Sequence, residues 1–376
     1  MGEGLCGNGR ILFSIRFRPQ GGPVSGAVVR PPAGTVVVPD PASGPAAPEI
    51  RIRPAHLRPP ADKVFRGMAR GSGIAVLSLM TLIGLFLGLR AQNALSADGF
   101  KFVTTQAWDP ESHNFGIAGV LTGSVLIALT AIFFALPLAL GTALFISEYA
   151  PPRWKKGLIA AIDLMAAIPS VVFGLWGFFF FEHNSVGTTR WMSDYLGWIP
   201  LLHLRVDTNA DDVGNPLAST SYYTGSTFIA GVVVALMVTP IACSVMREAF
   251  SQAPLGEREG AYALGATRWG MVRNVVLPFG RGGIIGGTML GLGRALGETI
   301  AVYMVISMTF KIQGHILGKG ASSVSALIAL RYGASSTFAI SALMAAGLSL
   351  FLLTLVVNFG ASMIVARSRS GAESEA

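Results

Sequence analysis

The chain has 376 residues with 28 Lys and Arg against 20 Asp and Glu, for a net charge of +8, and 52% of it is hydrophobic while only 13% is charged. Soluble domains carry about 25% charged residues, so this composition excludes an ordinary water-soluble enzyme and points to a bilayer as the solvent. The two cysteines, Cys6 in a polar tail and Cys243 in an apolar run, imply neither a disulfide framework nor a thiolate metal site.

Residues 1–66 are rich in Pro, Gly and Ala without a sustained period. Such a chain cannot bury enough apolar surface to offset its ordering entropy, and is expected to be a disordered cytoplasmic tail. The apolar triplet at 11–13 is too short for a secretory leader. A transmembrane domain is then expected over 67–367. Its runs fall at 71–89, 116–146, 157–181, 227–246, 282–310 and 338–365, each close to or above the roughly 20 residues that cross hydrocarbon. Pro137 should kink the second run and Pro240 lies near the end of the fourth; Asp163 and Pro169 interrupt the third; Arg294 and Glu298 lie within the fifth. The expected class is an all-α integral membrane protein of six transmembrane helices, with a cytoplasmic loop at 247–281 and a short tail at 368–376.

Orientation follows from Lys and Arg in alternate loops. The N-terminal tail, the 147–156 loop, the 247–281 loop and the C-terminus together hold 20 of them, the intervening loops hold 7, and Arg294 is the last. Both termini are therefore expected in the cytoplasm of a bacterial plasma membrane. Asp194, Asp207, Asp211 and Asp212 gather in one outer loop. The positive-inside bias accounts for the basic balance, and no nucleic-acid partner is implied.

Catalytic and metal patterns are absent. The five His residues form no HExxH, and no GxSxG elbow occurs. The segment GHILGKG (314–320) has one residue too few between its glycines for a phosphate loop and lacks the following Ser or Thr; GLGRALG (291–297) has one too many for a dinucleotide fingerprint. The chain is expected to hydrolyse no nucleotide and to hold no cofactor, so ATP and magnesium would belong to another subunit.

The stretch EGAYALGATRWGMVRNVVLP (259–278) stands between apolar runs. Ala261, Leu264, Ala266 and Trp269 supply an apolar surface, Glu259, Arg268 and Arg273 stay wet, Gly265 marks a bend, and Pro278 redirects the chain. A short amphipathic helix of this kind either seeks a partner groove or lies on the membrane surface. The positions Glu259, Ala261, Gly265, Val275, Leu277 and Pro278 resemble the EAA loop of binding-protein-dependent ABC importer permeases, with Gly260 and Val275 as the two departures. SEYAP (147–151), IPSVVFGLWG (168–177), LGLGRALGETIAV (290–302) and WDP (108–110) further resemble the phosphate-specific importers, in particular permeases of the PstC type.

That resemblance covers about residues 67–367. It implies a type I importer permease that pairs with a second, PstA-like permease, two ATPase subunits and an extracytoplasmic phosphate-binding protein, with lipid around the assembly. It also implies that the 259–278 loop is the helix that couples to the ATPase. Arg294 and Glu298, four apart, would share one helix face; they either neutralise each other or line the path of the anion, where a guanidinium fork suits phosphate oxygens. The resemblance favours the second role. Gly283, Gly287 and Gly291 form a small-residue stripe for a helix interface, within this chain or with a second permease. Permeases for sulfate, molybdate or phosphonate, the PstA-type subunit, and a self-contained secondary transporter remain the alternatives.

Overall fold

The structure, a computed structural model, describes residues 60–204 and 221–370. The expected disorder of the N-terminal tail, and Arg205, Asp207, Asp211 and Asp212 of the acidic outer loop, lie outside the described residues. A division after Met68 sets apart the membrane domain, in which all the packing below occurs.

The elements run α1 Pro60–Asp98, α2 Lys101–Thr104, β1 Trp108–Asp109, β2 Asn114–Phe115, α3 Ala118–Leu144, α4 Pro152–Ala167, α5 Ser170–Trp176 and α6 Glu182–Leu196. They continue with α7 Thr227–Ser251, α8 Leu255–Ala263, α9 Arg268–Met271, α10 Arg281–Gly297, α11 Ile300–Val305, α12 Val324–Arg331 and α13 Thr337–Ser370. Five-residue π-turns close α3 at Phe145–Tyr149, α5 at Gly177–Phe181 and α9 at Val272–Val276.

Four helical stretches can each cross a bilayer singly: Lys63–Asp98, Ala118–Tyr149, Thr227–Ser251 and Thr337–Met363. The other two expected crossings are bent pairs. α4 meets the Ser170–Leu196 helix at 86°, and Arg268–Phe279 meets α10 at 66°, so six spans result if each pair is one crossing.

The centre is the pair α3 and α7, which share the most extensive helix interface. Lipid offers no hydrophobic drive between apolar helices, so close approach through small residues must hold them. Ala131, Ala135, Ala139 and Ala143 recur every fourth residue of α3 and are all buried. Gly231 of α7 lies so close to Thr130 that a methyl group there would stand 2.5 Å from its Cγ2. Pro137 and Pro240 sit inside their helices without ending them, as neighbouring helices in a membrane permit.

Two expected spans are broken. The third begins earlier, at Pro152, and stops at Ala167; Ile168 is extended (φ −65°, ψ 129°) ahead of Pro169, because a proline ring excludes the helical conformation from the residue before it. The fifth, expected as one helix over 282–310, ends at Gly297. Glu298 is extended (φ −67°, ψ 127°), and α11 restarts at Ile300 only to end at Val305. No proline causes this break. The Glu298 carboxylate accepts the Ala301 N–H (3.3 Å) and so caps α11, while its own carbonyl accepts the Ser325 hydroxyl (2.7 Å). The Glu298–Ala301 bond is local, and a local side-chain bond offers the backbone an alternative to helix, while the Ser325 bond holds the break from 27 residues away.

One end of the domain is closed by aromatic side chains from the α2–α3 and α11–α13 connections. Phe115 is buried between Phe102 (centroids 5.8 Å apart) and Phe338 (5.5 Å), and Trp108 of the WDP segment stacks on Phe310 (6.4 Å). The β1–β2 turn passes through His113 in the left-handed region (φ 55°), with its ring 4.8 Å from that of Phe338. Glu111 accepts the Ser336 hydroxyl (2.6 Å) and Gln106 accepts the Ile312 N–H (3.0 Å), tying the two connections together.

Candidate functional site

The 259–278 stretch folds as α8, a tight turn, and α9. Two bonds close α8: the Ala266 N–H donates to the Ala261 carbonyl (3.0 Å) and the Gly265 N–H to the Tyr262 carbonyl (2.9 Å). This paired pattern is the Schellman ending, which needs a left-handed residue just past the helix; Gly265 supplies it at φ +82°. Thr267 then caps α9, accepting the Gly270 N–H at 3.1 Å. The turn orders the loop without burying it. Leu264 is 91% exposed, and Leu255, Tyr262 and Trp269 are exposed with it.

Ala261 faces the other way from that expected. With Leu277 it packs against buried Phe250, Met271, Val272 and Val276, so the outward apolar patch is made by Leu255, Tyr262, Leu264 and Trp269. Glu259 and Pro278 are exposed and Val275 is half-buried. Arg258, the residue before the motif, ion-pairs with Glu148 of SEYAP at 3.1 Å. The sequence signal for that contact was slight: an acid in a basic loop, beside an apolar run.

The glycine stripe lies against α7 of the same chain. A methyl at Gly283 would collide with Ala249 Cβ, one at Gly287 would lie 2.9 Å from the Ala242 carbonyl oxygen, and one at Gly291 2.6 Å from Val238 Cγ1. The stripe is thus occupied within this chain, with α10 and α7 nearly backbone to backbone.

Arg294 and Glu298 do not share a helix face, because the helix has ended before Glu298. Arg294 is exposed on the last turn of α10, Glu298 is buried at the break, and among the described residues no ion pair joins them. Thr299 donates to the Gly297 carbonyl (3.2 Å) and Thr239 to the Ala235 carbonyl (2.7 Å), and Ser170 begins α5. Asp163 is exposed and makes no ion pair among the described residues. Beyond the break, α5 and α11 pack closely, Gly174 on Ala301, and leave an open apolar groove of about 430 Å³ lined by Leu175, Phe178, Phe179, Tyr303, Met304 and Leu330. No group of three or more His, Cys, Asp or Glu that could hold a metal ion occurs among the described residues.

Residues 135–370, which include SEYAP, the Schellman turn and the broken fifth span, match the family model described as binding-protein-dependent transport system inner membrane component. The chain belongs to this family. Over 273 residues the permease is 37% identical to the phosphate transport system permease protein PstC 2 of Mycobacterium tuberculosis, covering 72% of this chain and 80% of that protein. It is 38% identical over 271 residues to the phosphate transport system permease protein PstC of Mycobacterium leprae, covering 71% and 81%. In fold the permease is similar to a solved bacterial alginate ABC transporter in complex with an alginate pentasaccharide-bound periplasmic protein, with a TM-score of 0.52 at 17% identity over 82% of this chain and 95% of that one. The chain is accordingly a multi-pass component of an ABC importer, and a transporter subunit rather than a catalytic chain.

Proposed function

We propose that the permease forms half of the translocation pathway of an ATP-driven importer of inorganic phosphate. The observation that carries the anion reading is Arg294. Its guanidinium stands on a membrane span, exposed on its own chain, and makes no ion pair among the described residues. A charge at that depth must face a cavity or another protein, and five donors in a planar fork match the oxygens of phosphate. Glu298 fixes the break that ends the helix just beyond Arg294. A second, PstA-like permease covers the open α5–α11 face and completes the path.

The Lys and Arg asymmetry supports a placement of both termini and α8 on the cytoplasmic side of a bacterial plasma membrane. There the exposed Leu264 and Trp269 enter a groove of an ATPase subunit, two of which carry ATP and magnesium, this chain holding neither. An extracytoplasmic phosphate-binding protein delivers the ion to the aromatic-capped end and sets most of the selectivity. Closure of the ATPases displaces α8 and reopens the path on the other side.

The test is ATP hydrolysis by the purified complex with its binding protein, titrated with phosphate and then sulfate. Stimulation by phosphate alone is expected; stimulation by sulfate would reassign the substrate to another oxyanion. Arg294→Ala should lower phosphate uptake at least a hundredfold while the complex still assembles, and normal uptake by that variant would remove Arg294 from the path.

A further inference from the structure

Coupling requires that a push on α8 reach the spans, yet α8 has no fully buried side chain. Apolar packing through half-buried Ala261 is too slight to make nine residues move as one body with the core. The attachment is polar. Arg258 Nη1 donates to Glu148 Oε2 at 3.1 Å and Nη2 to the Phe250 carbonyl at 2.6 Å, while Glu148 Oε1 accepts the Ser147 hydroxyl at 2.6 Å.

One side chain of α8 thereby grips the π-turn that ends α3 and the last turn of α7, the two helices at the centre of the domain. The Glu148 side chain is 5% exposed and that of Arg258 18%. Desolvating a largely buried pair offsets much of its attraction, so such a pair is weak evidence of a stabilising role, and its best-attested use is to fix one arrangement over others. The two residues are 110 positions apart, so no local helix preference brings them together.

We propose that Arg258 and Glu148 form a strut that carries displacement of α8 into α3 and α7, making them positioning residues for transport. This rests on the reading of α8 as the ATPase-coupling helix. When α8 is pushed, the two-nitrogen grip moves the ends of both spans together; without it, α8 shifts on its loops and the energy of ATP hydrolysis is not delivered to the pathway.

The experiment measures phosphate taken up per ATP hydrolysed by the full complex in proteoliposomes. Arg258→Lys keeps the buried charge, and hence the fold, but cannot hold Glu148 and the Phe250 carbonyl through two nitrogens. Its ratio is expected to fall at least fivefold, with Glu148→Gln at least tenfold lower and the double variant no lower than Glu148→Gln alone. A purely stabilising pair would reduce the amount of complex and leave the ratio untouched. A wild-type ratio in Arg258→Lys, or losses that multiply in the double variant, would overturn the strut. Leu264→Asp serves as the separate control: if the ATPase still copurifies with it, the docking reading itself fails, whatever the ratios show.

Discussion

The two ends of the membrane domain solve opposite problems. At the aromatic end, Phe102, Phe115, Trp108 and Phe338 converge from connections far apart in sequence and satisfy one another, with Glu111–Ser336 and Gln106–Ile312 bonds closing the rim. At the α8 end, a well-formed turn leaves Leu264 and Trp269 exposed among the described residues. One end consumes its apolar side chains in folding, whereas the other leaves them exposed among the described residues. Order alone does not separate them, since the Schellman turn at Gly265 is as well hydrogen-bonded as the hairpin at His113. What differs is whether the apolar surface is consumed internally.

That contrast can be broken most forcefully at its open end. Leu264→Asp combined with Trp269→Asp should abolish recovery of the ATPase with the tagged permease while leaving the permease's own melting temperature unchanged, since each lost anchor at a protein interface costs at least about 2 kcal/mol; a lower melting temperature would mean that the patch serves the fold. Phe115→Ala at the closed end should do the reverse, destabilising the chain by about 3–5 kcal/mol as a large buried aromatic is lost, with ATPase recovery from the folded fraction intact. Gly265→Ala should fall between the two in kind and below both in size, costing about 1 kcal/mol because a Cβ resists the left-handed conformation, and should weaken ATPase recovery only modestly. Gly265→Val should weaken it further, and equal recovery for the two would show that turn geometry is not what presents Leu264.

Much of this was legible from pattern. Composition and run lengths gave the membrane class, and Pro169 warned of the third-span break because a proline acts on its immediate neighbour. Gly265 likewise announced a turn whose geometry is local. The fifth-span break was not legible. Arg294 and Glu298 sit at helical spacing inside an apolar run, and the interruption depends on Ser325 and Ala301 bonding to Glu298, the first of them 27 residues away. The glycine stripe could be read as an interface but not assigned, because its partners Val238, Ala242 and Ala249 are on another helix. The Arg258–Glu148 contact was hidden for the same reason. Periodicity reports what a segment presents, and only the tertiary structure decides what receives it.

The fit of α10 on α7 has a consequence for how such a permease can vary over evolutionary time. Gly283, Gly287 and Gly291 face α7 only while the helix keeps its phase, and a one-residue insertion or deletion between them would rotate everything downstream by about 100°. A deletion would then turn Thr288 or Leu292, and an insertion Leu290, toward contacts that tolerate no Cβ, and Arg294 would leave its face. Along its face on α7, α10 is confined to substitution.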